Sequence, residues 1–96
     1  MNQKKIFSRQ AIVINEMGMH ARPAAKIAQI AMEAVGEIRL SNGASVVDAT
    51  SIIDILTLCA IKGSKILIKA ESDDDRGLVE QIKAFFDNGF GELENE

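Results

Sequence analysis

A single proline, Pro23, limits what this chain of 96 residues can build around it. Inside a helix its ring would collide with the carbonyl four residues back, so a helix that contains it must open within the preceding turn. Beyond it Ala24, Ile27, Ala28, Ala31 and Val35 fall on one face, with Lys26, Gln29 and Glu33 on the other. The spacing predicts a helix from Ala21, closed by Gly36 as its C-terminal cap. His20, the only histidine, then lies at or beside the N-cap, and Arg22 stands between it and the proline.

The flanking segments alternate in type. Lys5 to Ile14 reads as a strand rich in β-branched residues, broken by NEMGM. EIRLSNGASVVD predicts a hairpin turning on Asn42-Gly43, which tolerate the positive φ of a two-residue turn. TSIIDILTLC predicts a short helix capped by Thr50 or Ser51, with Ile52, Ile55, Leu56 and Cys59 as its buried stripe. After Gly63, SKILIKA alternates as a strand with Ile66 and Ile68 inward. A last helix begins among aspartates suited to a helix N-terminus and buries Leu78, Ile82, Phe85 and Phe86. Asn88-Gly89 stops it, and Phe90 folds back inward. Strand, helix, strand, strand, helix, strand, helix favours a two-layer α+β domain, residues 1–96 as one unit, with a mostly antiparallel sheet and its helices on one face.

Composition narrows the function classes. A net charge of −3, with Lys and Arg scattered, speaks against nucleic acid or an anionic membrane as partner. Cys59 has no partner for an internal disulfide, and among apolar neighbours it reads as a buried thiol. No apolar signal or membrane-spanning run follows the basic N-terminus, so a reducing cytoplasm is the expected location.

The helix mouth carries the chemistry. At its N-terminus the amides of Ala21 and Arg22 have no acceptor within the helix and point outward past His20. Together with the positive helix end and a guanidinium, they form an anion site. The same field disfavours imidazolium, keeping His20 neutral near pH 7, a nucleophile suited to receiving a phosphoryl group. The plainer reading is that a lone histidine beside a helix start is a cap or a surface residue. A metal site lacks a second histidine or a suitable cysteine, and no serine is tied to His20 in a hydrolytic triad.

GMHARPAAK resembles the active-site segment of the HPr family, the small phosphocarriers of the bacterial phosphotransferase system, through Gly18, His20, Arg22, Pro23 and Ala24. The resemblance extends to SNG, TSIIDILTL and KGSKILIKA. It implies an open-faced β-sandwich of four antiparallel strands and three helices. It also implies that His20 takes a phosphoryl group on Nδ1 from an enzyme I-type protein, charged by phosphoenolpyruvate, and passes it to an enzyme IIA-type acceptor. Arg22 and the backbone amides of Ala21 and Arg22 would hold the phosphate. The protein would be a monomeric, stoichiometric carrier that needs no cofactor, rather than an enzyme. HARPA and the ending AFFDNGFGELENE look like the NPr relatives of the nitrogen branch, a regulatory rather than sugar-uptake role; a sugar-uptake HPr is the alternative.

Ser51 aligns with a serine that a kinase modifies in some relatives. Here Asp48 and Asp54 flank it, so an added phosphate would meet like charge, and a helix cap is the better reading. Ile53 lies off the buried stripe, at a position that by the resemblance helps contact both partners; with Ala24, Ala25, Lys26 and Leu56 it would form a partner surface around His20, with Arg22 and Lys26 as a basic rim for acidic partners. Two other classes compete: a regulatory module acting by contact without phosphotransfer, and a small-molecule-binding domain, for which the sequence offers no convergent polar set.

Overall fold

Alternating apolar residues in the strands and apolar stripes on the helices leave each element one face to bury, and the two sets of faces meet in a single layer. The computed structural model describes residues 6–93. Its elements are β1 (Phe7–Ile12), α1 (Ala21–Ala31), β2 (Ile38–Ser41), β3 (Val46–Asp48), α2 (Ile52–Leu56), β4 (Lys65–Ala70) and α3 (Arg76–Asp87). The sheet runs β1-β4-β2-β3 with every neighbouring pair antiparallel, Phe7 opposite Ala70 and Leu40 opposite Ile68. Ala11, Ile38, Leu40, Ile66 and Ile68 project to the buried side, where Ile27, Ala28, Ile55, Val79, Ile82 and Phe86 meet them. The fold is the expected α+β open-faced sandwich.

Several boundaries differ from the sequence expectations. β1 is shorter than predicted, and Lys5 lies outside the described residues. α1 ends at Ala31 rather than reaching Gly36, so Val35 is exposed instead of buried. The reason lies across the core: the Asp75 carboxylate accepts from the amides of Val35 (2.9 Å) and Gly36 (2.8 Å), drawing that segment out of helical register toward the start of α3. The hairpin turns on Gly43-Ala44, one residue later than predicted, because Asn42 pairs with Ser45. There the Asn42 side chain accepts from the amides of Ala44 and Ser45.

α2 is only five residues long, and this alters its stripe. Ile55 is buried and Leu56 half-buried, but Ile52 is exposed. Cys59 is exposed too, at φ +50°, because the chain leaves the helix before reaching it and buries Leu58 instead. In α3, Val79 joins Ile82 and Phe86 in the core, while Leu78 and Phe85 pack against its margin. Phe90 turns inward as expected, its ring centroid 4.9 Å from that of Phe86 and 5.1 Å from that of Phe85.

Candidate functional site

The loop between β1 and α1 is fixed before the helix starts. Gly18 adopts φ +68°, and a Cβ there would lie 2.6 Å from the Ala60 carbonyl oxygen, so the position excludes a side chain. The next amide, that of Met19, donates to this same oxygen at 2.8 Å, and the Met19 side chain is buried. With its predecessor pinned, His20 falls at the N-cap of α1 in extended conformation (φ −123°, ψ −172°). Its carbonyl accepts from Ala24 at 3.0 Å, and its side chain caps nothing. Pro23 occupies the third helical position and brings no N–H. Ala21 and Arg22, as the first two residues, therefore supply the amides without acceptors inside the helix.

A third group meets the histidine from the far end of the chain. Glu92 Oε2 lies 2.7 Å from His20 Nε2 and 2.5 Å from Arg22 Nη2. Its other oxygen, Oε1, accepts from Asn15 Nδ2 at 2.8 Å, and that nitrogen also donates to the Gly18 carbonyl at 3.0 Å. Glu92 is 4% exposed and Asn15 fully buried, whereas the His20 side chain keeps 28% of its surface and that of Arg22 70%. Burial pushes the Glu92 carboxyl upward. Hydrogen bonds from His20 and Asn15, with the charge of Arg22, outweigh that and hold it below the usual carboxylate range.

A short turn delivers the carboxylate. Asn88 Oδ1 accepts from Gly91 N (3.0 Å), and Gly89, Phe90 and Gly91 all take positive φ, curling the chain back after α3. A Cβ on Gly89 would strike the Leu93 side chain. Phe90, buried between α3 and the curl, anchors the turn.

The structure sets His20 at the N-cap with Arg22 and the open amides beside it, and brings to them Glu92 and Asn15, which the sequence did not single out. Asn15 figured only as part of a strand break, and GFGELE only as a helix stop and part of the ending that looks like the NPr relatives. The one local hint was an inward Phe90 two residues before an acidic one.

Ser51 is the N-cap of α2, its Oγ accepting from Asp54 N at 3.1 Å. Of the five residues expected at a partner surface, Ala24 is fully buried and cannot touch a partner, because it faces the core from the first turn of α1. Ala25 and Lys26 are exposed, Leu56 is half-buried, and Ile53 is 75% exposed. Met17 and Ile61, which the sequence did not single out, add exposed apolar surface on either side of Gly18. Among the described residues no group of His, Cys, Asp and Glu could hold a metal ion, and no helix is long and apolar enough to cross a membrane.

Comparison with known proteins bears on this arrangement. A family model described as "PTS HPr component phosphorylation site" matches residues 7–88. Phosphocarrier protein HPr of Cupriavidus necator is 33% identical over 89 residues, covering 93% of this chain and all of the relative. Phosphocarrier protein NPr of Proteus mirabilis is 35% identical over 85 residues, covering 88% of this chain and 94% of the relative. Among solved structures, HPr-C-His from Thermoanaerobacter tengcongensis superposes with a TM-score of 0.81 at 28% identity, covering 88% of this chain and 96% of the other. The match spans the histidine loop and every strand and helix described above, and the chain belongs to the HPr family of the phosphotransferase system.

Proposed function

We propose that this protein is a phosphocarrier in which His20 accepts a phosphoryl group from a phosphorylated enzyme I-type donor and passes it to an enzyme IIA-type acceptor. The observation that carries the reading is a part-exposed imidazole at the mouth of α1, beside two open amides and a guanidinium. A phosphoryl group bonded to that ring would meet the Ala21 and Arg22 N–H groups and Arg22 as neutralising donors. Arg22 gives one nitrogen to Glu92 and, at 70% exposure, keeps the rest of its fork for phosphate oxygens. Ala25, Lys26, Ile53 and Leu56 are the surface offered to both partners, with Met17 and Ile61 extending it.

The nitrogen branch is the favoured assignment within this reading, on HARPA and the AFFDNGFGE ending. Relatives called HPr and NPr are about equally similar to the chain, so a sugar-type HPr is the competing assignment. Charging with phosphoenolpyruvate and purified enzyme I of either type tests both levels. The expected product gains one phosphoryl group on His20 in a bond labile to acid and stable to alkali, and His20→Ala gains none. Faster charging by the nitrogen-type donor supports the branch. A His20→Ala protein that charges as well as wild type sinks the carrier reading.

A further inference from the structure

We propose that Glu92 is a positioning residue for His20: from the C-terminal turn its carboxylate fixes Nε2 as the protonated ring nitrogen, leaves Nδ1 as the nucleophile, and holds Arg22 alongside. The inference rests on the phosphocarrier reading and adds to it a part for a residue beyond the span that matches the family.

The donor inventory around Glu92 decides the roles. An ionised carboxylate only accepts, and Asn15 Nδ2 and Arg22 Nη2 can only donate to it. The remaining short contact, 2.7 Å to His20 Nε2, is therefore a hydrogen bond in which Nε2–H donates. A neutral imidazole carries one proton, so Nδ1 is left with its lone pair. This is the general logic by which a carboxylate behind a histidine selects its tautomer and orients the ring.

The surroundings are built for that carboxylate. Asn15 is fully buried, and its Oδ1 has no partner among the described residues. Turning the amide over would give that oxygen no relief, since it would then face Glu92 Oε1 across an acceptor–acceptor contact. Asn15 thus leaves a buried acceptor unmet, which is unfavourable, to keep a donor on Glu92. The turn bringing Glu92 in holds Phe90, a bulky residue, at φ +60°, a left-handed conformation that its Cβ disfavours. Two unfavourable features converge on one buried side chain, and that side chain touches the ring and the guanidinium.

In the transfer, the Nδ1 lone pair forms the new N–P bond while the donor's bond to phosphorus breaks and its electron pair returns to the donor. The Nε2 proton stays on the ring, which gains positive charge that Glu92 faces directly. When the acceptor takes the group, the N–P bond breaks and its electron pair returns to Nδ1, which again holds a lone pair.

The test reads the tautomer separately from the chemistry. Imidazole nitrogen shifts of the full, unphosphorylated chain are recorded at about pH 8.5, above the ordinary titration of an imidazole. Wild type is expected to hold the Nε2–H form almost exclusively, and Glu92→Ala to relax toward the mixture of a free imidazole. Charging of Glu92→Ala and Glu92→Gln should slow by about tenfold or more, while thermal unfolding and core amide shifts establish that both variants fold. A folded Glu92→Ala with an unchanged tautomer overturns the proposal, even if charging slows, because a merely loosened tail would do that. Failure of wild type to charge would instead strike the carrier reading, leaving the tautomer measurement to decide the part assigned to Glu92.

Discussion

Gly18 sets the histidine's height above the helix, because its φ of +68° and the nearby Ala60 carbonyl leave no space for a methyl group. Gly18→Ala must either strain the backbone or push away the residue that pins Met19, and it should cost about 2 kcal/mol or more. Urea unfolding measures the cost, and a loss below about 0.5 kcal/mol would mean that the loop relaxes freely. At this scale the sequence was legible wherever the cause was local. Pro23 located the helix start, and its neighbours His20 and Arg22 followed. Cys59 misled because its exposure depends on where a five-residue helix gives out. Ala24 misled for a different reason: the first turn of α1 already faces the core. Glu92 was illegible because 72 residues separate it from His20, and no periodicity reports a contact of that kind.

Elements were predicted in the right order, and their errors share a cause. Propensity carried α1 on toward Gly36, but Asp75, at the N-cap of α3, captures the Val35 and Gly36 amides and ends the helix early. A tertiary hydrogen bond overrode a local preference. Asp75→Ala removes both acceptors at once and should destabilise by about 2–3 kcal/mol, as charge-assisted bonds at a buried carboxylate do. Hydrogen exchange should localise the effect: the Val35 and Gly36 amides lose protection first, ahead of β4. Uniform loss across the sheet would show instead that Asp75 serves the whole core and not this junction. The hairpin teaches the same lesson on a smaller scale. Asn42 stayed outside the turn proper because its side chain does more by accepting the Ala44 and Ser45 amides.

Across the whole molecule, the loop before α1 and the turn after α3 are tied through one charged cluster, so acid should be felt there. The Glu92 carboxyl is held below its usual range and therefore contributes stability that is complete above the ordinary carboxylate range. That contribution is lost as pH falls through the depressed value. Asp48, lowered by its hydrogen bonds from the Thr50 amide and hydroxyl, adds a loss of the same sign. Unfolding midpoints for wild type and Glu92→Gln should thus converge as pH falls from about 6 toward 3. A gap constant over that range would assign the acid sensitivity elsewhere. An antiparallel sheet with its helices on one face followed from sequence because strand periodicity and short connections restrict it, whereas the return of the final turn depended on Phe90 finding room beside Phe85 and Phe86. That return has a practical corollary for anyone handling the protein: a protease that nicks the backbone between Phe90 and Glu92 would leave sheet and helices standing yet strip the imidazole of its counterweight, so clipped material should pass for intact by fold and differ from it in chemistry.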